Sequence, residues 1–143
     1  MASWSEVAAE APELAARARA LFDAFTHKTM ATLRRDGSPR ISGTEVEFSG
    51  GELFIGSMSR AVKALDLQRD PRFAIHSGSA DPPDWPGDAK IAGRAEEVSK
   101  PGADSHRFRL DISELVVVRL GDPADHLVIE SWHEGRGVSS IRR

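Results

Sequence analysis

From Lys28 onward the chain is cut into short apolar segments, each bounded by turn-forming residues and recurring about every ten positions. They fall at 28–34, 39–48, 52–57, 72–77, 89–98, 114–120 and 126–132. This is the rhythm of a small, mainly antiparallel barrel of six or seven strands. Two of the turns carry their own mechanism. In Arg34-Arg35-Asp36-Gly37-Ser38-Pro39 the Asp-Gly pair supplies the positive φ of a tight hairpin, and Pro39 suits the start of a strand. Ser49-Gly50-Gly51 is a second such turn.

Helices flank and interrupt this pattern. Ser3 and Glu6 have capping-box spacing, and Val7, Ala11, Leu14, Ala18, Leu21, Phe22 and Phe25 recur every three or four residues, which predicts an N-terminal amphipathic helical region divided at Pro12. A second helix is expected at about 59–69, stopped by Asp70-Pro71, with Val62 and Leu65 on one side. Three prolines and two glycines make 78–88 a surface loop, and 99–106 reads as an irregular connection.

Bulk properties narrow the function. At 143 residues, one domain spanning 1–143 is the default. A net charge of −3 gives no bulk attraction to nucleic acid or an anionic membrane, so any anion site has to be local. The absence of cysteine removes disulfides, thiolate metal sites and thiol nucleophiles together. With no apolar run of membrane-spanning length and no signal-like start, a cytoplasmic location is the expectation. The five histidines lack metal-ligand spacing, and no Gly-x-Ser-x-Gly elbow supports serine hydrolysis.

What chemistry remains concentrates where the segment 52–57 runs into the second helix. Ser57, Ser59, Arg60 and Lys63 bring hydroxyls, cations and free helix N–H groups to one strand-to-helix junction, a setting that suits a phosphate. The bland alternatives are a solvated cationic face for Arg60 and Lys63, and helix capping by Ser57 or Ser59. Trp85, in the proline-rich loop, could shield a bound ring or anchor the loop.

Asp36-Gly37-Ser38-Pro39-Arg40, then Leu53 to Ser57, Lys63, Leu67 to Arg72 and Ile91 to Ala95, together resemble the pyridoxamine 5'-phosphate oxidase-like split β-barrel superfamily. The resemblance is nearest to small actinobacterial members that use FMN or the deazaflavin coenzyme F-420, and it covers about residues 26–98 well. It implies a split barrel, a homodimer with cofactors in two grooves at the subunit interface, and hydride transfer to or from a small molecule. A cofactor-binding set also follows from it: Arg40 at the start of the second strand, Ser57 and Lys63 toward the phosphate, and Trp132 with Arg142 as a late pair. Packing is the plainer role for Trp132, and an exposed strand cation for Arg40.

The departures bear on function. Many relatives have a contiguous Ser-Arg-Lys before the helix, whereas here Ala61 and Val62 precede Lys63, and Ser59-Arg60 stand early. Glu45 occupies the position of the second-strand lysine of the true pyridoxamine phosphate oxidases, which disfavours vitamin B6 oxidation. Two classes of function follow: a flavin- or deazaflavin-dependent oxidoreductase, and a non-catalytic binder of flavin, deazaflavin or haem. No side chain stands out as an acid or base.

Overall fold

The computed structural model describes residues 1–143. Helices α1 (Trp4–Glu10) and α2 (Pro12–Ala24) precede strands β1 (Lys28–Leu33), β2 (Pro39–Thr44), β3 (Val46–Ser49) and β4 (Glu52–Met58). Helix α3 (Val62–Arg69) follows, then β5 (Arg72–His76), β6 (Asp88–Glu97), β7 (Ser105–Leu120), β8 (Leu127–His133) and β9 (Gly137–Arg142). The capping box forms as expected, with Ser3 Oγ accepting from the Glu6 N–H and the Glu6 side chain accepting from the Ser3 N–H. Pro12 starts the second helix, where its missing N–H costs nothing.

All pairings between strands are antiparallel, in the order β2-β1-β5-β6-β7-β4-β3, with β8 beside β7 and β9 beside β8. β2 and β3 end the path without pairing to each other, so the barrel is split rather than closed. Nine strands stand where six or seven were expected, for two reasons. The segment 39–48 breaks at Glu45, where the chain steps from one open edge of the sheet to the other, and β9 follows a turn the sequence pattern did not flag.

β7 is the spine of the fold. It pairs with β6 along most of its length, while its other edge takes β4 first and β8 afterwards. Its inward residues are Phe108, Leu110 and Ile112, then Leu115 and Val117, a change of phase produced by an extra residue at Ser113. Gly93 lies opposite this bulge, and a Cβ there would sit 1.9 Å from the Asp111 carbonyl oxygen. The inner face joins α1 and α2 in one core containing Phe22, Met30, Ile91, Phe108 and Trp132. The outer face of β2-β1-β5-β6-β7 has no helix over it and leaves Ile41 73% exposed.

Candidate functional site

α3 closes the open side of the barrel through charge. Asp66, 2% exposed, accepts hydrogen bonds from Thr32 Oγ1 at 2.8 Å, Arg40 Nε at 2.7 Å and Arg69 Nη2 at 3.1 Å. Burial alone would raise this carboxyl, but the bonds from Arg40, Thr32 and Arg69 outweigh it and hold it below the usual range. Arg40 therefore fixes β2 to α3 through Nε, and both of its terminal nitrogens remain without a partner in the chain. One turn earlier on α3, Lys63 Nζ donates to the Gly43 carbonyl at 2.8 Å. Desolvation depresses the Lys63 ammonium, which has no carboxylate partner to offset it.

The β4–α3 junction is built differently from the sequence expectation. Helix α3 begins at Val62 and not near 59; its N-cap is Ala61, with no side-chain cap, so neither Ser57 nor Ser59 performs that role. Residues 58–61 instead form a β-turn, closed by the Ala61 N–H on the Met58 carbonyl at 3.1 Å. Arg60 occupies its third position with φ +62°, the sole non-glycine residue of the chain with positive φ. A turn of this kind prefers glycine there, so Arg60 is held against its intrinsic preference.

Ser57 precedes this turn on the inward face of β4, in register with the buried Leu53 and Ile55. It is 9% exposed, and its Oγ has no hydrogen-bond partner. Ser42, next to Gly43 on β2, carries a second orphaned hydroxyl. Buried hydroxyls without partners cost free energy, and these two lie on strands that approach each other, β2 and β4, with Lys63 bonded to Gly43, the residue after Ser42. A ligand with acceptor oxygens would satisfy this set.

Two depressions adjoin the region. The larger, about 390 Å³, is polar and lies over Glu97, Ser99 and His106. The other, about 260 Å³, is on the uncovered outer sheet face, walled by Ala31, Ile41, Ala74 and Ala92 with His76 and Lys90 at its margin. A flat aromatic ring system needs apolar walls, which selects the second. Gly43, which receives Lys63, is on the same outward face of β2 as Ile41. The Lys63 contact and the apolar surface at Ile41 thus both adjoin β2, while the Ser42 hydroxyl alternates to the inward side of the same strand.

Of the residues singled out from the sequence, Arg40, Ser57, Arg60 and Lys63 gather around β2, β4 and α3, and Ser59 lies exposed in the turn between them. Trp132 does not join them. It is 1% exposed in the core, and its indole N–H donates to Glu10 Oε2 at 2.7 Å, which leaves no face for a cofactor. Arg142 is exposed on β9, opposite Val128 while Trp132 is opposite Val138, so the two do not meet within the chain. Glu45 projects outward at the β2–β3 step, 3.8 Å from His27 Nδ1. Trp85 is a loop anchor, its indole donating to Asp88. Residues the sequence did not single out are Asp66, which holds Arg40, Thr32, which donates to the same carboxylate, and His106, which touches the Arg60 turn.

No family model and no curated protein matches the chain in sequence. Solved structures do match in fold. PhzG from Burkholderia lata, solved with tetrahydrophenazine-1-carboxylic acid, is similar at TM-score 0.71 and 11% identity, over 94% of this chain and 92% of that one. A pyridoxamine 5'-phosphate oxidase-related, FMN-binding protein from Nostoc punctiforme gives TM-score 0.65 and 15% identity over 92% and 93%. A heme binding protein from Mycobacterium smegmatis gives 0.60 and 16% over 88% and 86%. The fold is that of the pyridoxamine 5'-phosphate oxidase-like split barrels.

Proposed function

We propose that this protein binds a flavin-type cofactor, FMN or the deazaflavin coenzyme F-420, and uses it to move a hydride to or from a small molecule. The observation that carries the reading is the unmet polar groups on β2, β4 and α3: the orphaned Ser42 and Ser57 hydroxyls, and a partly desolvated Lys63 bonded only to the Gly43 carbonyl. Ser57, Lys63 and Arg60 would hold the phosphate, with the free terminal nitrogens of Arg40 available to the cofactor's polar edge. The ring would lie on the apolar outer face. When bound, the cofactor supplies the hydride chemistry; the chain supplies position, polarity and exclusion of water. The fold likeness to an FMN-binding protein supports this reading, and so does the resemblance in residues 26–98.

A ring on an outer sheet face is half open in a single chain, and Ile41 at 73% exposure is an apolar surface lacking a cover. We infer a homodimer that closes the face, with the exposed Arg142 of β9 free to reach across the interface toward the partner's cofactor. Fluorescence titration with FMN and with F-420, alongside light scattering, tests both parts. Saturable binding of one of them by a particle of twice the chain mass is the expected result. A clean monomer that binds neither would overturn the assignment. The haem neighbour supports a binding-only alternative, and a Soret band on haem addition with no flavin binding would favour it. Turnover of the photoreduced cofactor by acceptors separates an enzyme from a store.

A further inference from the structure

We propose that His106 is a proton-sensitive latch that positions the Arg60 turn. His106 Nε2 lies 3.2 Å from the backbone N of Arg60 and accepts its N–H. An acceptor nitrogen carries no proton, so the ring proton is on Nδ1, where Glu97 Oε2 receives it at 2.6 Å. The two bonds together specify a neutral imidazole in one tautomer.

Glu97 extends the chain of contacts. Its Oε1 accepts from Gln68 Nε2 at 2.8 Å and its Oε2 from Ser99 Oγ at 2.7 Å. Gln68 is near the end of α3 and Arg60 just before its start, so the His106–Glu97 pair grips the turn and the helix at once. Arg60 needs such a grip, because its φ of +62° is one that a side-chain-bearing residue leaves when released.

Protonation reverses the contact at Nε2. An imidazolium presents N–H there, directed at the N–H of Arg60, and two donors cannot bond. The other groups around the ring do not change charge in the same range. Glu97 is held down to about 2, chiefly by His106, then by Gln68 and Ser99, so it stays ionised. Arg60 and Lys100, which faces the same depression, supply the nearby positive charge, and neither side-chain type ordinarily titrates where histidine does. His106 is the group of the cluster whose hydrogen-bonding role protonation reverses, because it accepts at Nε2 and donates at Nδ1.

The consequence for cofactor affinity rests on the phosphate assignment above; the latch itself does not. The test is ¹⁵N NMR of the whole protein between pH 8 and 5, where histidine is the side chain that ordinarily titrates. The Nδ1–H tautomer is expected at the upper end, and the Arg60 amide resonance should move with the His106 titration at a shared midpoint. An Arg60 amide indifferent to that titration overturns the proposal. FMN affinity is then compared in wild type and His106→Gln, which keeps an acceptor but cannot titrate. The FMN phosphate itself changes charge near pH 6, so the readout is the difference between the two pH slopes. Wild type should lose about tenfold more affinity than His106→Gln, the scale of one displaced charge-assisted contact, and equal slopes would overturn the coupling. If the Arg60 amide follows His106 but FMN binds neither protein, the latch stands and the cofactor assignment falls.

Discussion

Two regions meet on α3, and they are finished to different degrees. Around Asp66, three hydrogen bonds from three separate elements meet both oxygens of the buried carboxylate. On the β4 side, the Ser57 hydroxyl is buried without a partner, and Arg60 holds a backbone conformation suited to glycine. The first region behaves as a rivet. The second carries costs that the chain alone does not offset, which is the physical mark of a surface completed by something else. Substitutions in the two regions should therefore separate: loss of stability in one, loss of ligand in the other.

The largest effect tests a residue that the comparison assigns wholly to structure. Trp132→Ala should cost roughly 3–5 kcal/mol of stability, because it empties a core site. Urea denaturation measures it. Trp132→Phe, which keeps most of the volume, should bind FMN as wild type does; loss of binding in a well-folded Phe variant would return Trp132 to the site.

Asp66→Ala comes next, at about 3 kcal/mol, since it leaves Arg40 and Arg69 facing each other without their shared carboxylate. Acid should act in the same direction. The folded carboxyl lies below its ordinary value, so its contribution is complete above the unfolded value and fades as pH falls through the folded one. A stability profile of Asp66→Asn that falls as steeply with acid as wild type would show that other carboxylates dominate.

Lys63→Ala should do the reverse, leaving stability nearly unchanged while weakening FMN binding ten- to a hundred-fold, about 1.5–3 kcal/mol for a charge-assisted bond. Its bond to the Gly43 carbonyl is a single contact on a partly exposed side chain. Unchanged affinity would reduce Lys63 to a tie between α3 and β2, and the contrast between the two regions would lose its functional half.

How far the sequence could be read follows the range of the forces involved. Local turn chemistry was legible: Gly50 and Gly51 both take positive φ in a two-residue hairpin, and Gly37 does so in the Asp-Gly turn. The capping box and Pro12 were legible for the same reason. β7 was only half visible, because Ser113 shifts its alternation and the outward Arg107, Arg109 and Asp111 make 105–112 look polar. The two arginines are met across the sheet by Glu47 and Glu96, partners 60 and 13 residues away. The candidate site divides likewise. Ser57, Arg60 and Lys63 stand close in sequence, whereas Asp66 beneath Arg40 and His106 beneath Arg60 depend on strand pairings that no spacing announces.

The smallest effect is the sharpest test of the comparison, because its two readouts should move in opposite directions. Arg60→Gly relieves the positive φ, and in the native state this should stabilise the protein. Glycine also gives the unfolded chain more freedom, so the net gain should stay below about 1 kcal/mol. The hydrogen bond to His106 uses the backbone N–H and survives the change. Only the guanidinium is lost. A variant as stable as wild type or slightly more so, yet several-fold weaker for FMN, would show that arginine is kept in a strained turn for what its side chain binds. A variant that is more stable and binds equally well would leave the strain without a functional account, and the phosphate would then have to rest on Lys63 and Ser57 alone.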